Sequence, residues 1–145
     1  ILKDVNLDDV VVPSKKVVDY SGGQKQRIAF ARAVVTNFKV LFGDEPTGNL
    51  DPNNAKVLMG ILKEKIEGSN NCAIVVSHDI NLALDFADRI IVINKAEKKN
   101  DKESYSFGQI DHNSIYVKSD GDWINGSQKL KKEKLYSDLL AKMIV

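Results

Sequence analysis

The chain has 145 residues, 43% hydrophobic and 28% charged, with a formal net charge of +1. That is one domain's worth of core, and the near-neutral balance gives no global case for nucleic acid or an anionic membrane surface. Cys72 is the only cysteine, which excludes an intramolecular disulfide, and no apolar run approaches the ~20 residues that a membrane-spanning helix needs.

The sequence begins at Ile1 with no signal-peptide pattern and no helix cap. The expectation is a cut inside a larger protein, with a processed natural N-terminus as the alternative. Residues 1–7 read as the tail of a helix. Val10-Val11-Val12-Pro13 breaks it, because a residue before proline is pushed toward extended conformations. Residues 14–20 read as a connection.

Ser21 is a good N-cap for a helix of about three turns, with apolar Ile28, Ala29, Ala31, Ala33 and Val35 and an end near Thr36-Asn37. Gly22 and Gly23 leave backbone N–H groups uncovered at its entrance, the pattern of an anion site. A plain Gly-Gly turn accounts for Ser21 to Gln24 equally well. Phe38 to Phe42 is short and, apart from Lys39, apolar, which predicts a strand buried on both faces of a parallel sheet. Asp44 and Glu45 follow at its carboxyl end, where open α/β sheets place ligands. There Asp44 can hold a magnesium ion and Glu45 can orient and deprotonate a water. The alternative is a solvated acidic turn.

Pro46 to Asn49 is a turn, and Asp51-Pro52 caps a second helix with the stripe Val57, Leu58, Ile61, Leu62 and Ile66, ending at Gly68. Cys72 to Val76 predicts a second buried strand with His78 just beyond it. A lone histidine is more often structural; its place at a strand end, like that of Asp44 and Glu45, makes His78 a candidate. Residues 81–88 form a short helix and Arg89 to Ile93 a third strand. This alternation argues for an α/β fold with a mostly parallel sheet and flanking helices.

Residues 95–103 read as a solvated charged loop. Tyr105 to Ile110 and Ile115 to Lys118 predict a β-hairpin at a sheet edge, with a turn at Asp120-Gly121-Asp122. Lys129 to Val145 predicts an amphipathic helix whose stripe is Leu135, Leu139 and Met143. Lys129, Lys131, Lys132 and Lys134 read as a solvated basic face, with an anionic-lipid or partner contact as the alternative.

Together the motifs resemble the ATPase subunits of ABC transporters, over about residues 1–94. YSGGQ at Tyr20–Gln24 looks like the family signature, with tyrosine where leucine is more usual. VLFGDE at Val40–Glu45 looks like the Walker B strand and catalytic glutamate. Asn49-Leu50-Asp51 resembles the D-loop, and Ser77-His78-Asp79 the switch histidine. DEPTGNLD is similar to the subgroup serving lipoprotein release, macrolide or peptide export and cell division. No Gly-Lys pair occurs in the chain, so the Walker A half of this P-loop NTPase fold is lacking. Residues 95–145 match nothing in the family and read as a separate α+β extension.

The resemblance implies a membrane-transport ATPase using ATP and magnesium. It would sit peripherally on the cytoplasmic face, paired with a transmembrane subunit and a second ATPase subunit in a head-to-tail dimer, with no nucleic acid. Ser21, Gly22, Gly23 and Gln24 would cover nucleotide held by the partner, and Asp51 would cross the dimer interface. Asp44 would hold magnesium, Glu45 would be the general base, and His78 would contact the γ-phosphate. Without a P-loop these residues complete no site alone and would not hydrolyse ATP. A soluble ATPase of chromosomes, repair or translation, and a non-catalytic interaction module, are the competing readings.

Overall fold

The computed structural model describes residues 16–99 and 104–143. The helix tail at residues 1–7, the break at Pro13 and residues 100–103 of the expected loop lie outside the described residues. Two compact units divide between Leu82 and Ala83.

In the first unit, a single 3-10 turn at Val17–Asp19 leads into α1 (Gly22–Val35). Ser21 Oγ accepts from the Gln24 N–H at 3.2 Å, and the Ser21 N–H donates to Gln24 Oε1 at 3.0 Å. This reciprocal cap satisfies two donors that would otherwise lack partners. β1 (Val40–Asp44) follows, then α2 (Pro52–Ile66), capped by Asp51, and β2 (Cys72–Val76). Gly68 follows α2 with a positive φ of 68°, the left-handed exit a glycine makes cheaply.

β1 and β2 are parallel neighbours, in register from Val40↔Cys72 to Asp44↔Val76. Side chains alternate across the pair. Leu41, Ala73 and Val75 face a core of Phe30, Ala31 and Val34 from α1 and Leu58 and Leu62 from α2. The opposite face is open: Val40, Phe42, Ile74 and Val76 are 46%, 76%, 51% and 56% exposed. The strands are therefore not buried on both faces as expected, because α1 and α2 pack on the same side. An apolar face of this kind drives association. Residues 1–145 are expected to self-associate in sedimentation velocity, and Phe42→Ser to shift the boundary toward monomer. A monomeric wild-type chain with a sharp two-state melt would contradict this.

α3 (Ile80–Phe86) spans the division between the units. The second unit continues with β3 (Arg89–Ile91), β4 (Asn94–Lys99), β5 (Ser104–Gln109), β6 (Ile115–Ser119), β7 (Asp122–Asn125), β8 (Gln128–Leu130) and α4 (Lys132–Met143). Its main sheet is antiparallel in the order β3-β6-β7-β8, and β4 and β5 form a separate antiparallel pair. The expectation of a mostly parallel sheet is thus corrected: among the described residues only β1 and β2 pair in parallel. Apolar runs announce strands but not the direction of their partners. Arg89 to Ile91 finds its partner in β6, which two tight turns join to β7 and β8. Asp120 and Gly121, at φ 50° and 81°, make the first of these turns.

The hairpin expected between residues 105–110 and 115–118 does not form. β5 pairs instead with residues 94–99, of which 95–99 fall in the expected charged loop. Every residue of β5 is exposed, so burial imposes no alternation on the sequence. The expected C-terminal helix starts at Lys132, because residues 128–130 are a strand. Its basic cluster is solvated, as expected, but each lysine also has an acidic partner. Lys129 and Lys131 pair with the buried Asp122 at 3.2 and 2.8 Å, Lys132 pairs with Asp85, and Lys134 with Asp138 at 2.7 Å. The Lys131 bond, then that of Lys129, holds the Asp122 carboxyl below the usual range.

Candidate functional site

The parallel register sets Asp44 beside Val76, so the residues leaving both strands meet at one edge. The Glu45 N–H donates to the Val76 carbonyl at 2.9 Å, extending the ladder one residue past β1. There the backbone turns with φ 44°. For a residue with a Cβ, such a conformation costs about 1–3 kcal/mol. Glu45 Oε1 accepts from the His78 backbone N–H at 3.1 Å and lies 2.9 Å from His78 Nδ1. Oε2 is buried with no hydrogen-bond partner. Glu45 thus carries two local costs, of the kind that functional sites retain.

His78 is 72% exposed in its side chain. The hydrogen bond that His78 donates to Glu45, then the charge of Glu45 and that of Asp79, raise the His78 pKa above the ordinary value. With Nδ1–H donated to Glu45, protonation turns Nε2 from an acceptor into a donor suited to an anion. Because the folded-state pKa is raised, the pair's contribution to holding the strand ends is complete below the free imidazole's value. It is lost as pH rises through the raised value. Titration of the His78 ring by NMR is expected to give a pKa above 6.5 that falls back in Glu45→Gln. A value that Glu45→Gln leaves unmoved would disprove the coupling.

The other predicted residues have separate placements. Asp44 is exposed at the end of β1. Among the described residues no group of three or more His, Cys, Asp or Glu side chains could hold a metal. Asp44 therefore fits magnesium only as an ion whose remaining ligands are phosphate oxygens and water, which is that ion's habit. Asp51 caps α2 through the N–H groups of Asn53 and Asn54, both at 3.1 Å. Its carboxyl is held below the usual range chiefly by the Asn54 side chain.

The two glycines of the first α1 turn do different work. A Cβ at Gly23 would lie 3.1 Å from the Asn49 carbonyl oxygen, so glycine permits the close approach of that turn. A Cβ at Gly22 would meet nothing within 4 Å, and the chain's own packing does not require glycine there. Ser21 and Gln24 spend their side chains on the reciprocal cap.

Sequence reasoning missed Gln26. Its Nε2 donates to the Glu45 carbonyl at 2.7 Å and its Oε1 accepts from the Asn49 N–H at 3.1 Å. Half-buried on α1 four residues before Phe30, it had a helical-face signal but no recognisable chemistry.

The sequence model of the family described as ABC transporter matches residues 1–48. The phosphonates import ATP-binding protein PhnC 2 of Haloarcula marismortui is 39% identical over 97 residues, 67% of this chain and 35% of that protein. The chain is homologous to the ATP-binding proteins of ABC transporters. The cell division ATP-binding protein FtsE of Streptococcus pneumoniae is 39% identical over 93 residues, covering 64% of the chain and 40% of the relative. Among solved structures, the dimeric post-hydrolysis state of the ATP-binding cassette MJ0796 of Methanocaldococcus jannaschii, bound to ADP and Pi, matches with a TM-score of 0.53 at 36% identity. It covers 62% of this chain and 39% of that one. The chain spans 35% and 40% of the lengths of the two curated relatives. Their names divide between import and cell division, so they do not single out the subgroup read from DEPTGNLD. No described helix is long and apolar enough to cross a membrane.

Proposed function

We propose that these residues belong to the ATP-hydrolysing subunit of an ABC transporter and contribute parts of two half-sites, completed by a P-loop from outside the chain. The observation that carries this is the Glu45–His78 pair at the carboxyl ends of the parallel strands β1 and β2. Homology to ABC ATP-binding proteins supports it. Glu45 takes a proton from the attacking water. His78, whose pKa its contact with Glu45 raises, holds the terminal phosphate and, when protonated, offsets charge developing there. Asp44 holds magnesium, which when bound neutralises phosphate oxygens.

The open N-terminus of α1 at Ser21, Gly22, Gly23 and Gln24 faces nucleotide held by a second ATPase subunit, and Asp51 lies toward that subunit. The MJ0796 cassette is dimeric and was found with ADP and Pi, which supports a two-subunit assembly and an adenine nucleotide. The working site is the cytoplasmic face of a membrane, beside a transmembrane partner. The test is magnesium-dependent ATP turnover by the complete protein. Turnover that survives Glu45→Gln sinks this reading.

A further inference from the structure

One side chain joins both ends of the turn that carries Glu45. The Gln26 amide donates to the Glu45 carbonyl at 2.7 Å and accepts from the Asn49 N–H at 3.1 Å. Between those ends the turn closes on itself, through Gly48 N–H to the Glu45 carbonyl at 3.2 Å and Leu50 N–H to the Thr47 carbonyl at 3.0 Å. Glu45 is therefore held on two sides. β2 grips its N–H and its carboxylate, through Val76 and His78. α1 grips its carbonyl, through Gln26. The left-handed φ of 44° makes this grip consequential. A glutamate released from α1 gains free energy by relaxing to an ordinary backbone conformation. That rotation carries its carboxylate away from His78.

We propose that Gln26 is a positioning residue: its amide ties the Glu45–Asn49 turn to α1 and so sets the approach of the Glu45 carboxylate. The inference rests on the reading of Glu45 as general base. In this role Gln26 acts on the chemistry through the turn it holds, by way of Glu45 and Asn49.

The test uses the complete protein with Gln26→Met, similar in length but without either bond. Gln26→Asn keeps the amide one methylene shorter, cannot span both ends, and serves where the methionine variant fails to fold. Two readouts separate positioning from mere support of the fold. Hydrogen exchange at the Asn49 amide should quicken about tenfold, and kcat should fall about tenfold to a hundredfold with KM for ATP and melting temperature nearly unchanged. Unchanged exchange at Asn49 overturns the proposal. So does wild-type kcat in the presence of a loosened turn, or a fall in kcat that only tracks the folded fraction. Turnover that ignores Glu45→Gln but remains in wild type overturns the general-base reading and this role with it. Turnover that needs Glu45 but ignores Gln26 overturns this inference alone.

Discussion

In the complete protein, Glu45→Gln is expected to lower kcat for ATP by about 10²–10⁴-fold, the usual worth of a positioned general base. Glutamine has the same shape, and its Oε1 still accepts from the His78 backbone N–H that Glu45 engages at 3.1 Å. The left-handed turn at residue 45 keeps its Val76 and Gln26 bonds, so the site stays assembled. What disappears is a group able to take a proton, and the negative charge that raises the His78 pKa. ATP binding should largely persist, because of the groups proposed to hold the nucleotide only His78 feels the loss and the P-loop carries the main grip on the phosphates. Trapped before hydrolysis, the ATP-bound dimer should accumulate. Steady-state hydrolysis, equilibrium nucleotide binding and sedimentation with ATP check the three parts. Hydrolysis near the wild-type rate would remove Glu45 from the chemistry.

Much of this site was legible because its parts announce themselves locally. Ser21 and Asp51 are N-caps and behave as such, since capping is settled by the residue and the first turn after it. The runs at Val40 to Phe42 and Cys72 to Val76 had to be strands, and helix α2 between them made parallel pairing the economical solution. That pairing alone brings Glu45 to His78. Gln26 was invisible because its partners are backbone atoms 19 and 23 positions away, and sequence pattern does not encode the path of a distant turn.

The second unit was misread for a related reason. Residues 94–99 and 104–109 form a hairpin whose side chains stay largely in water, so no burial wrote a period into them. Asp122 reads from sequence as part of a turn. It is also a buried anion with two lysine partners, a pattern that needs the β7–β8 hairpin before its lysines are near.

The strongest stability effect is expected from Trp123→Ala, in that same unit. Trp123 is 1% exposed on β7, and α4 packs against that strand. Leu135 and Leu139 of α4 are buried, as is Tyr116 on β6. Lys118, the cross-strand partner of Trp123, lies with Nζ 5.6 Å from the centre of the indole ring. The same ammonium donates to the Leu84 carbonyl at 3.4 Å, near the C-terminal end of α3, where a cation is favoured. Truncation therefore opens a cavity and also removes the ring against which the lysine that ties α3 to β6 is packed. Removing a buried tryptophan costs about 3–5 kcal/mol, a large part of the ~5–15 kcal/mol that holds a typical domain folded. Trp123→Phe keeps most of the apolar volume and should cost much less. Chemical denaturation should show a lower midpoint for the alanine variant, and hydrogen exchange should locate the loss in β6, β7 and α4. Trp123 is the chain's only tryptophan, so wild-type fluorescence reports this unit directly: its emission should shift to the red on the denaturant step that unfolds β7. An alanine variant with the wild-type midpoint would mean that β7 and α4 do not form the packed layer described above.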